Sequence, residues 1–160
     1  MADPSRPRCV FDCVVLLQAA VSRGPAFAVL TLVEAGGLEL LLSDDILSEV
    51  RDVLLRTEVQ QRFPILSGEF IEAFLARIRH IGTLVDPVPS SFKFRRDPDD
   101  EPYLNLAAYG RVKYLVTRDR DLLDIMESRD DNARQLRRAC PDLRILDPVD
   151  LLRELVIKSK

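Results

Sequence analysis

The sequence predicts an α/β protein whose parallel or mostly parallel sheet is covered by helices on both faces. Three observations carry this. Short apolar runs alternate with segments of helical periodicity along the chain, the pattern of strand–helix–strand units. The first apolar run is continuous rather than alternating, which fits a strand buried on both faces. Carboxylates stand where such runs end, at the sheet edge where open α/β proteins build their sites.

Cys9-Val10-Phe11 opens the first strand, and Asp12 interrupts an apolar run that resumes at Val14 to Leu17. Arg23-Gly24-Pro25 marks a loop. Ala26 to Glu34 places Phe27, Leu30 and Val33 at helical spacing, and Gly36-Gly37 closes that helix. Leu38 to Leu42 is a second strand. Ser43 is the N-cap of a helix with Asp44 and Asp45 in its first turn and Ile46, Leu47, Val50, Val53 and Leu54 as apolar positions. The connection after it ends at Arg62-Phe63-Pro64. Another helix starts near Ser67-Gly68-Glu69 and runs through Phe70, Phe74, Ile78 and Ile81.

Leu84-Val85 predicts a short strand, and residues 86–98, rich in Pro and Ser, predict the longest loop. Asp99-Asp100 heads a helix that stops at Gly110, and Lys113 to Val116 is the clearest strand. Residues 127–142 predict a polar loop or an exposed helix. Leu143 to Leu146 is the last strand. Asp147-Pro148 caps a terminal helix through Leu155, and Lys158 to Lys160 are expected to fray.

The 160 residues suit one domain, 1–160, with short mobile tails, since neither a repeat nor a dividing linker is visible. No apolar run reaches the length of a bilayer span, so no membrane partner is expected. The start, MADPSRPRCVFD, lacks a signal-type apolar core, which predicts a cytoplasmic protein. Cys9, Cys13 and Cys140 are unpatterned and read as buried or incidental free thiols. His80 is the only histidine, which argues against a Ser/His or Cys/His triad and against a zinc site.

The net charge of -3 does not by itself suggest a polyanion partner. Its distribution does, because Lys93, Arg95 and Arg96, Arg111 and Lys113, and Arg118 and Arg120 accompany the acidic segments. Asp12, Glu49, Asp99/Asp100 and Asp119 are far apart in sequence, yet the topology carries them toward one edge of the sheet. Clustered carboxylates need a counter-charge, and a hard cation such as Mg²⁺ or Mn²⁺ supplies it together with water activation for phosphodiester chemistry. Asp100 and Asp119 also suit helix caps, and Asp121 and Asp147 read as little more than that. Asp12 fits a cap least well, because its neighbours are apolar and an unpaired buried carboxylate is costly.

Four segments carry a family resemblance: CVFDCVVLLQA, LSDDILSEVRDVLLR, RDPDDEPYLNLAAYGRVKYLVTRDRDLL and RILDPVDLLREL. In that order they resemble the PIN-domain ribonucleases, in particular the bacterial toxin components of toxin–antitoxin pairs related to VapC. The resemblance implies a three-layer α/β/α sandwich with a short, mostly parallel sheet of about five strands. It places the acidic metal site on Asp12, Glu49, Asp100 and Asp119. Asp99 is a lesser substitute for Asp100, Asp121 could assist Asp119, and Thr117 is a supporting hydroxyl. It further implies an Mg²⁺- or Mn²⁺-dependent endoribonuclease, an RNA substrate, a cognate antitoxin and a homodimer. Arg118, Arg120 and Arg96 would hold the RNA backbone.

One departure stands out. The first motif of the family usually continues Asp-Thr-Asn or Asp-Thr-Ser, whereas this chain has Asp12-Cys13-Val14. Val14 offers no side-chain donor or acceptor, a loss that costs about 10–100-fold in metal affinity or activity at comparable sites. That favours a second reading, a catalytically weak or inactive PIN-like module that binds RNA or protein. A phosphotransfer enzyme or receiver domain fits poorly, because position 14 and the first strand lack the second acid those sites require. Leu30, Val33, Phe70 and Phe74 are candidates for either a dimer face or the core.

Overall fold

Strand β1 (Arg8–Phe11) occupies the centre of the sheet because Cys9, Val10 and Phe11 are apolar on both faces and all three are buried. The computed structural model describes residues 5–95 and 97–158, so the outermost tail residues and Arg96 lie outside it. After β1 come helices α1 (Cys13–Val21) and α2 (Pro25–Glu34), then strand β2 (Glu39–Leu42). Helices α3 (Asp44–Leu54), α4 (Thr57–Arg62) and α5 (Gly68–Ile81) lead to the short β3 (Thr83–Leu84). A 3-10 turn, Pro98–Asp100, opens α6 (Glu101–Tyr109), which precedes β4 (Tyr114–Val116). The chain ends with α7 (Arg120–Leu123), α8 (Asp131–Ala139), β5 (Arg144–Leu146) and α9 (Pro148–Lys158).

All strand pairings are parallel, in the order β3-β2-β1-β4-β5, and helices flank the sheet. The chain builds outward from β1 to β3 on one side, then crosses to build β4 and β5 on the other. Strand order therefore reverses between β1 and β4, where Cys9, Val10 and Phe11 pair with Tyr114, Leu115 and Val116. The crevice beyond the carboxyl ends of those two strands is the favoured place for a site.

Several expectations need correction. Val14 to Leu17 do not prolong the first strand; they lie in α1, whose N-cap is Asp12. The continuous apolarity there reflects a helix with Val15, Leu16 and Ala19 in the core. Helices α4 and α7 escaped the periodicity argument because they are short, and α4 contributes no buried residue. The ambiguous 127–142 segment contains α8, which inserts only Ala133 and Leu136 into the core. Of the residues open to either role, Leu30, Val33 and Phe74 are buried in the core, and Phe70 is half-buried against it. At the end of α9 the Lys158 Nζ donates to the Tyr114 hydroxyl at 3.1 Å and pairs with Glu154, while Ser159 and Lys160 lie outside the described residues.

The remaining boundaries follow local chemistry. Ser43 and Ser67 cap α3 and α5 through their hydroxyls, as Ser before a helix should. Gly36 adopts φ +85° after α2, a conformation that excludes most other residues. The three cysteines are buried and free. Among the described residues no single helix is long and apolar enough to cross a membrane.

Candidate metal centre

Asp12 directly follows β1, and its backbone N–H donates to Val116 O at 3.0 Å, which holds it beside the end of β4. Its carboxylate is 6% exposed. Oδ1 accepts the Val15 N–H at 2.9 Å and Oδ2 accepts the Thr117 hydroxyl. Asp12 is thus buried, as its apolar neighbours suggested, but it is a partnered helix cap after all. Cys13, next in sequence, is a buried thiol pushed up to about 12 by burial, with the Glu49 and Asp12 charges adding to that.

Thr117 is fully buried and links two acids. It donates to Asp12 and accepts the Asp119 N–H at 3.0 Å. Asp119 in turn caps α7, its Oδ1 accepting the Asp121 N–H at 2.9 Å. Asp121 itself is exposed in the first turn of that helix. One threonine hydroxyl therefore fixes the geometry at the carboxyl ends of two adjacent strands.

Asp100 ends the 3-10 turn and is 9% exposed. Its Oδ2 is buried and has no hydrogen-bond donor among the described residues. Asp97, at the start of the same turn, accepts the Asp99 N–H on Oδ1 at 3.0 Å. One carboxylate oxygen each from Asp97, Asp100 and Asp119 lies within 4.8 Å of the other two. Such an arrangement of oxygen donors could hold a metal ion.

Glu49 approaches from α3 and is held differently. The Tyr103 hydroxyl, from α6, donates to Glu49 Oε2 at 2.7 Å. Glu49 does not belong to the three-carboxylate cluster, though the charges of Asp12 and Asp99 act on it. Asp99 points its charge from an exposed position on the turn and is likewise outside the cluster. Arg118 and Arg120 flank Asp119 and are exposed. Arg96 lies outside the described residues.

Electrostatics match this crowding. Burial, followed by the charges of Asp119, Asp97 and Asp12, pushes Asp100 up to about 7. Burial raises Asp12 as well, and the Asp119 charge adds to it against the opposing bonds from Thr117 and Val15. Glu49 is raised by burial, with Asp99 and Asp12 contributing, while the Tyr103 bond pulls the other way. A bound cation would relieve this repulsion and give the orphaned Asp100 oxygen a partner, so the residues present fit a hard divalent ion.

Sequence reasoning missed Asp97, Tyr103 and Asn105. Asp97 was legible in principle, since Asp followed by Pro is the signature of a helix start with a capping acid. Tyr103 reads as one more apolar helix position, and only the fold reveals that its hydroxyl meets Glu49. Asn105 is buried in α6, where its side chain holds the backbone of Ser91 and Phe92. Nothing local distinguishes it from a solvated helical asparagine.

Residues 8–121 match the family model described as PIN domain. The match includes Asp12, Glu49, Asp97, Asp100, Thr117 and Asp119, while β5, α8 and α9 lie beyond it. No curated protein matches the chain. The chain belongs to the PIN domain family, a family of nucleases.

Proposed function

We propose that this PIN-domain protein is an Mg²⁺- or Mn²⁺-dependent endoribonuclease and that it serves as the toxin of a toxin–antitoxin pair. The observation that carries the nuclease reading is the buried, donorless oxygen of Asp100 beside Asp97 and Asp119, at the switch point of the sheet. A bound cation there supplies charge neutralisation and water activation for in-line attack on a phosphodiester. Asp100 and Asp119 hold the cation, and Asp12 and Thr117 fix the direction from which Asp119 approaches. Glu49, steadied by Tyr103 and acted on by the charges of Asp99 and Asp12, would orient a second water or cation from α3. Arg118 and Arg120 give the polyanion a counter-charge on the exposed rim. The toxin assignment rests on the resemblance of the four acidic segments, and it implies a small cognate antitoxin as partner.

A second reading, a PIN-like module that binds without cutting, is favoured by one observation. Val14 is 48% exposed in the first turn of α1, two residues from Asp12, and brings no polar group to it. Asp12 nevertheless keeps two donors, the Thr117 hydroxyl and the Val15 N–H, which supports the catalytic reading instead. Incubating the purified protein with single-stranded RNA and with DNA of the same sequence, in Mg²⁺, Mn²⁺ or chelator, tests the assignment. Metal-dependent cleavage of RNA alone supports it. Absence of cleavage, joined to absence of Mn²⁺ binding at millimolar concentration, supports the binding module.

A further inference from the structure

The segment ahead of the carboxylates is built as a strap. Phe92 and Phe94 are buried in the core, whereas Lys93 and Arg95 between and beyond them are exposed, the alternation of an extended chain. Among the described residues no strand pairs with this segment, and side chains bond to its backbone instead. Asn105 Oδ1 accepts the N–H groups of Ser91 at 2.9 Å and Phe92 at 2.7 Å. Glu101 Oε1 accepts the Phe94 N–H at 2.8 Å, and Asn132 Nδ2 donates to Lys93 O at 2.8 Å. Three side chains from two helices thus fix the strap just before it delivers Asp97.

Capping engages Oδ1 of Asp97 with one N–H. One carboxylate oxygen of Asp97 also lies within 4.8 Å of oxygens from Asp100 and Asp119, which brings a third acid to an already crowded corner. A carboxylate so placed is destabilising unless something positive joins it. The independent sign of what joins it is Asp100 Oδ2, buried on a residue 9% exposed and without a donor among the described residues.

We infer that Asp97 is a direct ligand of the divalent cation, seated with Asp100 and Asp119, and that the clamped strap exists to deliver it. This rests on the metal-dependent reading above but adds a ligand that the four-acid pattern does not contain. The test is calorimetric titration of the metal-free protein with Mn²⁺, with thermal unfolding of each variant as the check on folding. Asp97→Asn keeps an oxygen for the Asp99 N–H, and Asp97→Ser keeps a capping hydroxyl should the first variant fail to fold. Asp99→Asn removes the same charge from an exposed neighbour outside the cluster. Asp97→Asn is expected to weaken Mn²⁺ binding at least about 10–100-fold, and Asp100→Asn is expected to do the same. Asp99→Asn is expected to weaken it less than about threefold, the effect of one exposed charge. Equal, small losses for Asp97→Asn and Asp99→Asn, beside a large loss for Asp100→Asn, would overturn the inference and leave Asp97 a cap. Titration of Asp100→Asn and Asp119→Asn like the wild type would overturn the metal centre itself, and the inference with it.

Discussion

The Tyr103 hydroxyl donates to Glu49 Oε2 at 2.7 Å, joining α6 to α3 above the carboxyl edge of the sheet. Tyr103 is buried, so its hydroxyl must find an acceptor within the protein. Glu49 is the acceptor, and the bond selects one orientation of a long, flexible side chain. A carboxylate otherwise left to solvent is thereby committed to the site.

Tyr103→Phe keeps the ring and removes the bond. It is expected to cost about 1.5–3 kcal/mol in denaturant unfolding, the range for a hydrogen bond to a charged group. Mn²⁺ binding should weaken about tenfold. On a Glu49→Gln background the same change should leave metal binding unaltered, because residues that act through one another are not additive. Equal losses on both backgrounds would show that Tyr103 acts through packing alone.

Thr117→Val is nearly isosteric but leaves Asp12 Oδ2 without its donor and the Asp119 N–H without its acceptor. Both groups sit at the carboxyl ends of adjacent strands. The expected cost is about 1–3 kcal/mol, with metal affinity reduced about 10–100-fold. Thr117→Ser retains the hydroxyl and should recover most of the metal affinity. Failure of serine to recover it would place the role of Thr117 in its methyl group instead.

The carboxylate repulsion predicts a pH dependence for the metal-free protein. Asp100 keeps its proton in the folded state up to about 7, chiefly through burial and then through the charges around it. In the unfolded chain an aspartate loses that proton near about 3.9. Between those values the folded state holds more protons, so stability falls as pH rises. The upward shifts of Asp12 and Glu49 act in the same direction. Unfolding by urea should show a decline toward neutral pH that levels off above about pH 7, and Asp100→Asn should flatten it. Added Mn²⁺ should oppose the decline, since the cation takes the place of the proton. A metal-free protein whose stability rises across this window would contradict the crowding described here.

How much of this was legible in the residues depends on whether the signal was local. Strands and most helices announced themselves, because runs such as Glu39–Leu42 are buried throughout, and Ser43 and Ser67 each cap the helix that begins one residue later. Asp12, Asp100 and Asp119 were recognisable because each ends a strand or opens a helix, and β1 and β4 prove to be neighbours. Glu49 could be chosen but not placed, since its position depends on a tyrosine 54 residues away in the chain. The strap was invisible as structure: Phe92 and Phe94 alternate with charged residues, yet among the described residues no partner strand makes that alternation a strand. Its anchors, Asn105, Glu101 and Asn132, become meaningful only when the fold brings α6 and α8 against it. Asp12 carried the opposite lesson. Local composition argued that it was no cap, and the fold shows that it caps α1 and meets Thr117 with the same carboxylate.

The central claim is that the carboxylates beyond β1 and β4 form a cation-dependent site for cutting RNA. The most direct measurement is cleavage of an end-labelled single-stranded RNA by the wild type and by Asp119→Asn, each with Mn²⁺ and with chelator. Asp119→Asn retains an oxygen to cap α7, so circular dichroism and thermal unfolding should match the wild type closely. The account predicts cleavage by the wild type in Mn²⁺ only, and loss of that cleavage in the variant. Cleavage by a folded Asp119→Asn at the wild-type rate, or undiminished wild-type cleavage in chelator, would contradict it.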